Sequence, residues 1–145
     1  MNNLGGLGIT VALGGVGSAL GVMCAGQAAV GAWKKAYALN KAAPFALVAF
    51  IAAPLSQTIY GMIVRDAILN AAWDPATPWW QPFLVGAFAG SAIGLSAWIQ
   101  GMIGAKASDA LGETGKGFGN YLMAVGIIET VALFVMVFTI TGLPK

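Results

Sequence analysis

The chain has 145 residues, 59% of them hydrophobic and only twelve charged, seven basic and five acidic. A soluble domain carries about 25% charged residues, so 8% excludes an ordinary aqueous globule and a disordered chain, and seven scattered cations make no footprint for nucleic acid. The lack of histidine and the single cysteine, Cys24, exclude a disulfide framework and argue against a zinc or thiol–imidazole site.

The mean hydropathy of +0.82 and the 21 glycines point to closely packed helices in a membrane. A helix needs about 20 apolar residues to cross the hydrocarbon core, and four segments qualify. The first runs from Leu4 to Ala32. It has no basic n-region and carries glycine and polar residues throughout, so it reads as a retained span and not as a cleaved leader. A connection with Lys34, Lys35 and Lys41 follows. The second span starts near Pro44, a residue suited to a first helical turn, and reaches Asn70. Within it, Pro54 interrupts the backbone ladder and frees nearby carbonyls. Toward its end lie Arg65 and Asp66, which either pair and snorkel to the interface or line an ion path; pairing is the simpler reading. The connection from Ala71 to Gln81 holds Asp74 and the aromatics Trp73, Trp79 and Trp80, which suit an interfacial belt. The third span runs from Pro82 to Ala107, a connection with Lys106, Asp109, Glu113 and Lys116 follows, and the fourth span runs from Phe118 to Leu143. Basic residues favour the cytoplasmic side. The first and third connections hold the lysines and the second holds none, which puts those two loops inside and both termini outside a cell membrane.

The chain repeats itself. Shifted by 73 residues, Gly17-Ser18-Ala19-Leu20-Gly21 overlies Gly90-Ser91-Ala92-Ile93-Gly94, Gln27 overlies Gln100, and Gly31-Ala32 overlies Gly104-Ala105; shifted by 72, Gln57-Thr58 overlies Glu129-Thr130. The expected fold class is therefore an all-α membrane protein of four transmembrane helices, built as two tandem helical hairpins, residues 1–72 and 73–145. Each pair of spans restores the starting side, so the duplication is parallel and not inverted. Gly14, Gly17 and Gly21 share a face of the first helix, as Gly86, Gly90, Gly94 and Gly101 do on the third. Small residues at this spacing let backbones approach closely. They suit either a compact four-helix bundle or a crowded inner ring of helices with bulkier helices outside, and two such faces per chain favour the ring.

Glu129 is the one acidic residue in the middle of a span, about eleven residues into the fourth helix. A lone carboxylate at that depth is costly and marks a functional site; as a mere hydrogen-bond donor it would gain nothing over glutamine. Ser56, Gln57 and Tyr60 share one face of the second span with Ala53, at i, i+3, i+4 and i+7, and Gln100 lies at similar depth in the third. Each polar group must find a partner in lipid, and one shared site satisfies all of them. It offers one carboxylate, two amide oxygens, a hydroxyl and a carbonyl near Ala53. Hard oxygen donors with a single negative charge suit a monovalent cation, since divalent ions recruit more carboxylates. The surplus of oxygens favours Na⁺, with H⁺ as the alternative, and Tyr60 suits a hydrogen bond to Glu129 better than a place on the ion.

At these residues the chain resembles the membrane rotor proteolipid of vacuolar/archaeal-type (V/A-type) rotary ATPases. Pro54-Leu55-Ser56-Gln57-Thr58-Ile59-Tyr60-Gly61 is similar to the P-x-[ST]-Q-x-x-Y-G pattern of the bacterial sodium-pumping branch, and Ile99-Gln100-Gly101 and Ile128-Glu129-Thr130 resemble its other ligand-bearing segments. The resemblance implies Na⁺ ligands at Ser56, Gln57, Gln100, Glu129 and the Ala53 backbone carbonyl, with Tyr60 hydrogen-bonded to Glu129. Ser56 stands where threonine is familiar, which keeps the hydroxyl. Also implied are a homo-oligomeric ring among membrane lipids, a stator membrane subunit that offers a basic residue to the emptied Glu129, and a central-stalk subunit at the cytoplasmic loops. ATP would be handled by a separate soluble head, because the sequence has no P-loop. A small four-helix proton-coupled multidrug antiporter is the alternative; those proteins carry their glutamate in the first helix and lack a parallel repeat.

Overall fold

A computed structural model describes residues 8–145, and they form helices joined by short turns. Helix α1 spans Gly8–Ala38, α2 Leu47–Ala52, α3 Ser56–Asn70, α4 Trp80–Thr114 and α5 Phe118–Thr141. A 3-10 turn at Ala53–Leu55 joins α2 to α3, so these two make one membrane-length rod, Leu47–Asn70, bent where Pro54 withholds an N–H. Four rods are thus long and apolar enough to cross a membrane, and the protein is an all-α multi-pass membrane protein.

The spans differ from expectation mainly at their ends. The start expected at Leu4 lies outside the described residues. The second helix begins at Leu47 and not at Pro44: Leu47, Val48 and Ala49 bond to carbonyls three residues back, and the Trp33 indole N–H donates to the Pro44 carbonyl at 2.8 Å, which holds that residue in the turn. Helices α1 and α4 run past Ala32 and Ala107, so Lys34, Lys35, Lys106, Asp109 and Glu113 are helical and not loop residues. Thirty-one and 35 residues at 1.5 Å each give about 46 and 52 Å, well beyond a hydrocarbon core of about 30 Å. The extensions lie side by side, and Lys35 Nζ meets Glu113 Oε1 at 2.8 Å. Helix α1 closes where Asn40 adopts φ 53°, with Asn40 and Lys41 N–H groups returning to the Tyr37 and Ala36 carbonyls, a Schellman end. Gly115 and Gly117, at φ 66° and 87°, make the tight reversal from α4 into α5.

Glycine decides how α1 meets α4. A Cβ on Gly17 would overlap the Gly94 backbone, one on Gly94 the Leu13 carbonyl, and one on Gly101 the Gly21 backbone. The two rods therefore touch main chain to main chain, as small-residue stripes permit. Gly21 also forms the notch that receives Pro54, whose ring would lie 2.7 Å from a Cβ placed there. Helix α3 seats on α1 through Gly61, where a Cβ would sit 3.0 Å from the Thr10 carbonyl oxygen. Helix α5 is held more thinly: only Val125 and Ala132 are buried along it, and Leu122, Met123, Ile127, Val131, Phe134 and Phe138 face outward. The aromatic belt is smaller than expected. Trp79 and Trp80 are exposed, but Trp73 turns inward against Val64 and Ile68 and donates its indole N–H to the Ile68 carbonyl at 2.9 Å.

Candidate ion-binding site

Midway along α3, α4 and α5 the expected polar side chains meet. The Pro54 turn comes first, because it fixes the Ala53 carbonyl: Pro54 is buried in the Gly21 notch, and that carbonyl accepts the Ser56 backbone N–H and the Ser56 Oγ proton at 3.0 Å. Ser56 Oγ also lies 3.1 Å from Gln57 Oε1. Gln57 is fully buried. Gly14 of α1 backs it so closely that a Cβ there would lie 3.0 Å from the Gln57 carbonyl oxygen.

From Gln57 the bonds run on toward the carboxylate. Gln57 Nε2 donates to Gln100 Oε1 at 2.8 Å, and Gln100, also fully buried, donates its own Nε2 to the Val125 carbonyl at 3.0 Å and toward Glu129 Oε2 at 3.5 Å. On the other side Tyr60 donates its hydroxyl to Glu129 Oε1 at 2.7 Å. So Ser56, Gln57, Gln100, Tyr60, Glu129 and the Ala53 carbonyl form one connected cluster from three helices. Each carboxylate oxygen accepts one donor, and every buried amide hydrogen bond is directed from α3 through α4 toward α5.

The arrangement has clear chemical capacity. Its oxygens carry one formal negative charge, and the other donors are neutral. Hard cations take oxygens at about 2.3–2.6 Å, which puts neighbouring ligands roughly 3–3.5 Å apart. Ala53 O, Ser56 Oγ and Gln57 Oε1 already stand at that spacing. The 3.5 Å contact from Gln100 to Glu129 is the loosest of the set, so the carboxylate oxygen it reaches is the one freest to take a new partner. Glu129 itself is only partly buried, on the flank of the bundle.

Other groups stay apart. Arg65 and Asp66 pair with each other at 2.9 Å, both well exposed, and no hydrogen bond joins them to the cluster among the described residues. No group of three or more acidic or cysteine side chains gathers anywhere in the described residues, in keeping with a site built from neutral oxygens around one acid. Two contacts were not anticipated. Thr58 Oγ1 donates to Ser18 Oγ at 2.9 Å and ties α3 to α1. Ser96 Oγ donates to the Ile128 carbonyl at 3.0 Å. The sequence carried one usable signal for Ser96: it precedes Gln100 by one helical turn.

Residues 83–141 match the family model of the ATP synthase C-subunit, so the C-terminal half, with Gln100 and Glu129, is a domain of that proteolipid family. No curated protein matches the chain.

Proposed function

Taking that C-terminal domain as the premise, we propose that the whole chain is a rotor subunit of a V/A-type rotary ATPase, that it carries Na⁺ in preference to H⁺ on Glu129, and that copies of it form a ring. The observation that carries this reading is the convergence on one carboxylate of the Tyr60 hydroxyl and a relay of two buried glutamines and a serine. A proton carrier needs the acid and one or two hydrogen bonds. A sodium seat needs several neutral oxygens, and Ser56, Gln57, Gln100 and the Ala53 carbonyl supply them.

The mechanism follows from electrostatics. An ionised carboxylate facing lipid is costly, so Glu129 crosses the bilayer only when neutralised by Na⁺ or a proton. Na⁺ brings the cluster to net zero charge. Where the ring meets a stator membrane subunit, a basic residue of that partner pairs with Glu129 and the ion is released. ATP hydrolysis or synthesis in a separate soluble head is coupled to the turning. The lysine-bearing ends of α1 and α4, with the loops beyond them, face the cytoplasm and offer the footing for a central-stalk subunit; both termini lie outside.

A hydrophobic carbodiimide tests this in native membranes. Glu129 is the residue labelled, labelling stops ATP-driven ion transport, and Na⁺ slows the labelling. Transport that continues with Glu129 fully labelled overturns the rotor reading. Labelling insensitive to Na⁺ but suppressed at high pH overturns the sodium assignment and leaves a proton rotor.

A further inference from the structure

We infer that Ser96 is a positioning residue for Glu129, acting through the backbone of α5 and not through the ion; the inference rests on the reading of Glu129 as the ion carrier. A serine or threonine inside a helix ordinarily donates back to its own preceding turn. Ser91 does so to Ala87, Thr114 to Ala110 and Thr141 to Val137. Ser96 does not. Buried to 4% exposure, it reaches across to α5 and donates to the carbonyl of Ile128, the residue immediately before Glu129. One turn further along the same face of α4, Gln100 Nε2 donates to the Val125 carbonyl. Ser96 and Gln100 are four residues apart, Ile128 and Val125 three, and the two helices run antiparallel, so the bonds are successive rungs between the same two faces.

These rungs matter because little else fixes α5. With only Val125 and Ala132 buried, apolar packing sets its rotation weakly, and a slip of one residue turns a side chain by about 100°. Such a turn would carry the Glu129 carboxylate away from both Tyr60 and Gln100. The Gln100 rung alone is a single pivot. The Ser96 rung makes it two-point and holds the turn that bears the carboxylate. No hydrogen bond joins Ser96 to the carboxylate itself among the described residues, so its effect passes through the main chain.

The test is the rate at which a lipid-soluble carbodiimide labels Glu129 at acid pH without Na⁺, in the assembled protein in native membranes. Ser96→Ala is expected to label three- to tenfold faster, because the carboxyl spends more time turned outward. Ser96→Thr, which keeps the hydroxyl, and Ser91→Ala, whose hydroxyl serves only its own helix, stay at the wild-type rate. An unchanged rate in Ser96→Ala overturns the inference, as does equal acceleration in Ser91→Ala. A lowered melting temperature with an unchanged labelling rate overturns it in favour of a purely structural role. Failure of the rotor reading shows separately, as ATP-driven transport that survives labelling of wild-type Glu129 whatever the Ser96 rates.

Discussion

Gln57 and Glu129 occupy corresponding places in the two hairpins, 72 residues apart, yet their surroundings differ. Helix α3 around Gln57 is pressed on α1 through Gly14 and Gly61 and touches α4 through Gln100, and Gln57 is fully buried. Helix α5 around Glu129 has α4 and α3 on one side only, and Leu133 stands where α3 has Gly61. A neutral amide can be sealed inside because four hydrogen-bonding positions satisfy it. An acid that must gain and lose a cation has to stay near a surface. The first copy has become the wall of a seat whose working group is in the second.

The strongest way to break the contrast is to give both copies an amide. Glu129→Gln should abolish high-affinity cation uptake and ATP-coupled transport while the helices persist, as measured by isotope uptake and by circular dichroism of the purified protein. Next in size, Gly61→Leu should lift α3 off α1. The Cβ position is already tight against Thr10, so a branched side chain there should cost several kcal/mol, seen as loss of assembled protein or a large drop in melting temperature. Gln57→Leu keeps the volume but removes the link to Gln100. Leaving a buried partner unpaired costs about 1–3 kcal/mol, so apparent Na⁺ affinity should fall roughly 5- to 100-fold, with a smaller effect on protonation, in paired titrations of carbodiimide labelling. Tyr60→Phe removes one donor from Glu129 and leaves the amide relay intact. A three- to tenfold loss of Na⁺ affinity is expected, at about 1 kcal/mol for a hydrogen bond. Arg65→Ala should do least: an exposed pair contributes under about 1 kcal/mol, so transport should be unchanged and melting should move by no more than a few degrees.

Much of this was legible in the residues. Four apolar runs, the Pro54 break and the single mid-span acid were enough to place the helices, and the i, i+3, i+4, i+7 spacing put Ala53, Ser56, Gln57 and Tyr60 on one face, which the structure turns toward Gln100 and Glu129. The helix ends were not legible. Lys34, Lys35, Lys106, Asp109 and Glu113 mark where the chain leaves lipid, but leaving lipid does not end a helix, since alanine, lysine and glutamate continue one readily in water. The true stops are backbone events at Asn40 and Gly115. Trp73 was misplaced because an indole that finds the Ile68 carbonyl has no need of the interface. Ser96 stayed hidden because a lone serine in a glycine-rich helix looks like one more small packing residue, and the carbonyl it serves has no sequence signature.

The glycine contact between α1 and α4 has a geometric consequence. Where those two rods meet, main chain lies on main chain; where α3 meets α5, the long reach of Tyr60 fills the space between them. The cross-section therefore tapers, narrow along the α1–α4 seam and broad along the flank that bears Glu129. Tapered units laid side by side turn through a constant angle and cannot make a flat sheet, so the circumference of any closed assembly of this chain is written in where α1 and α4 carry no side chains.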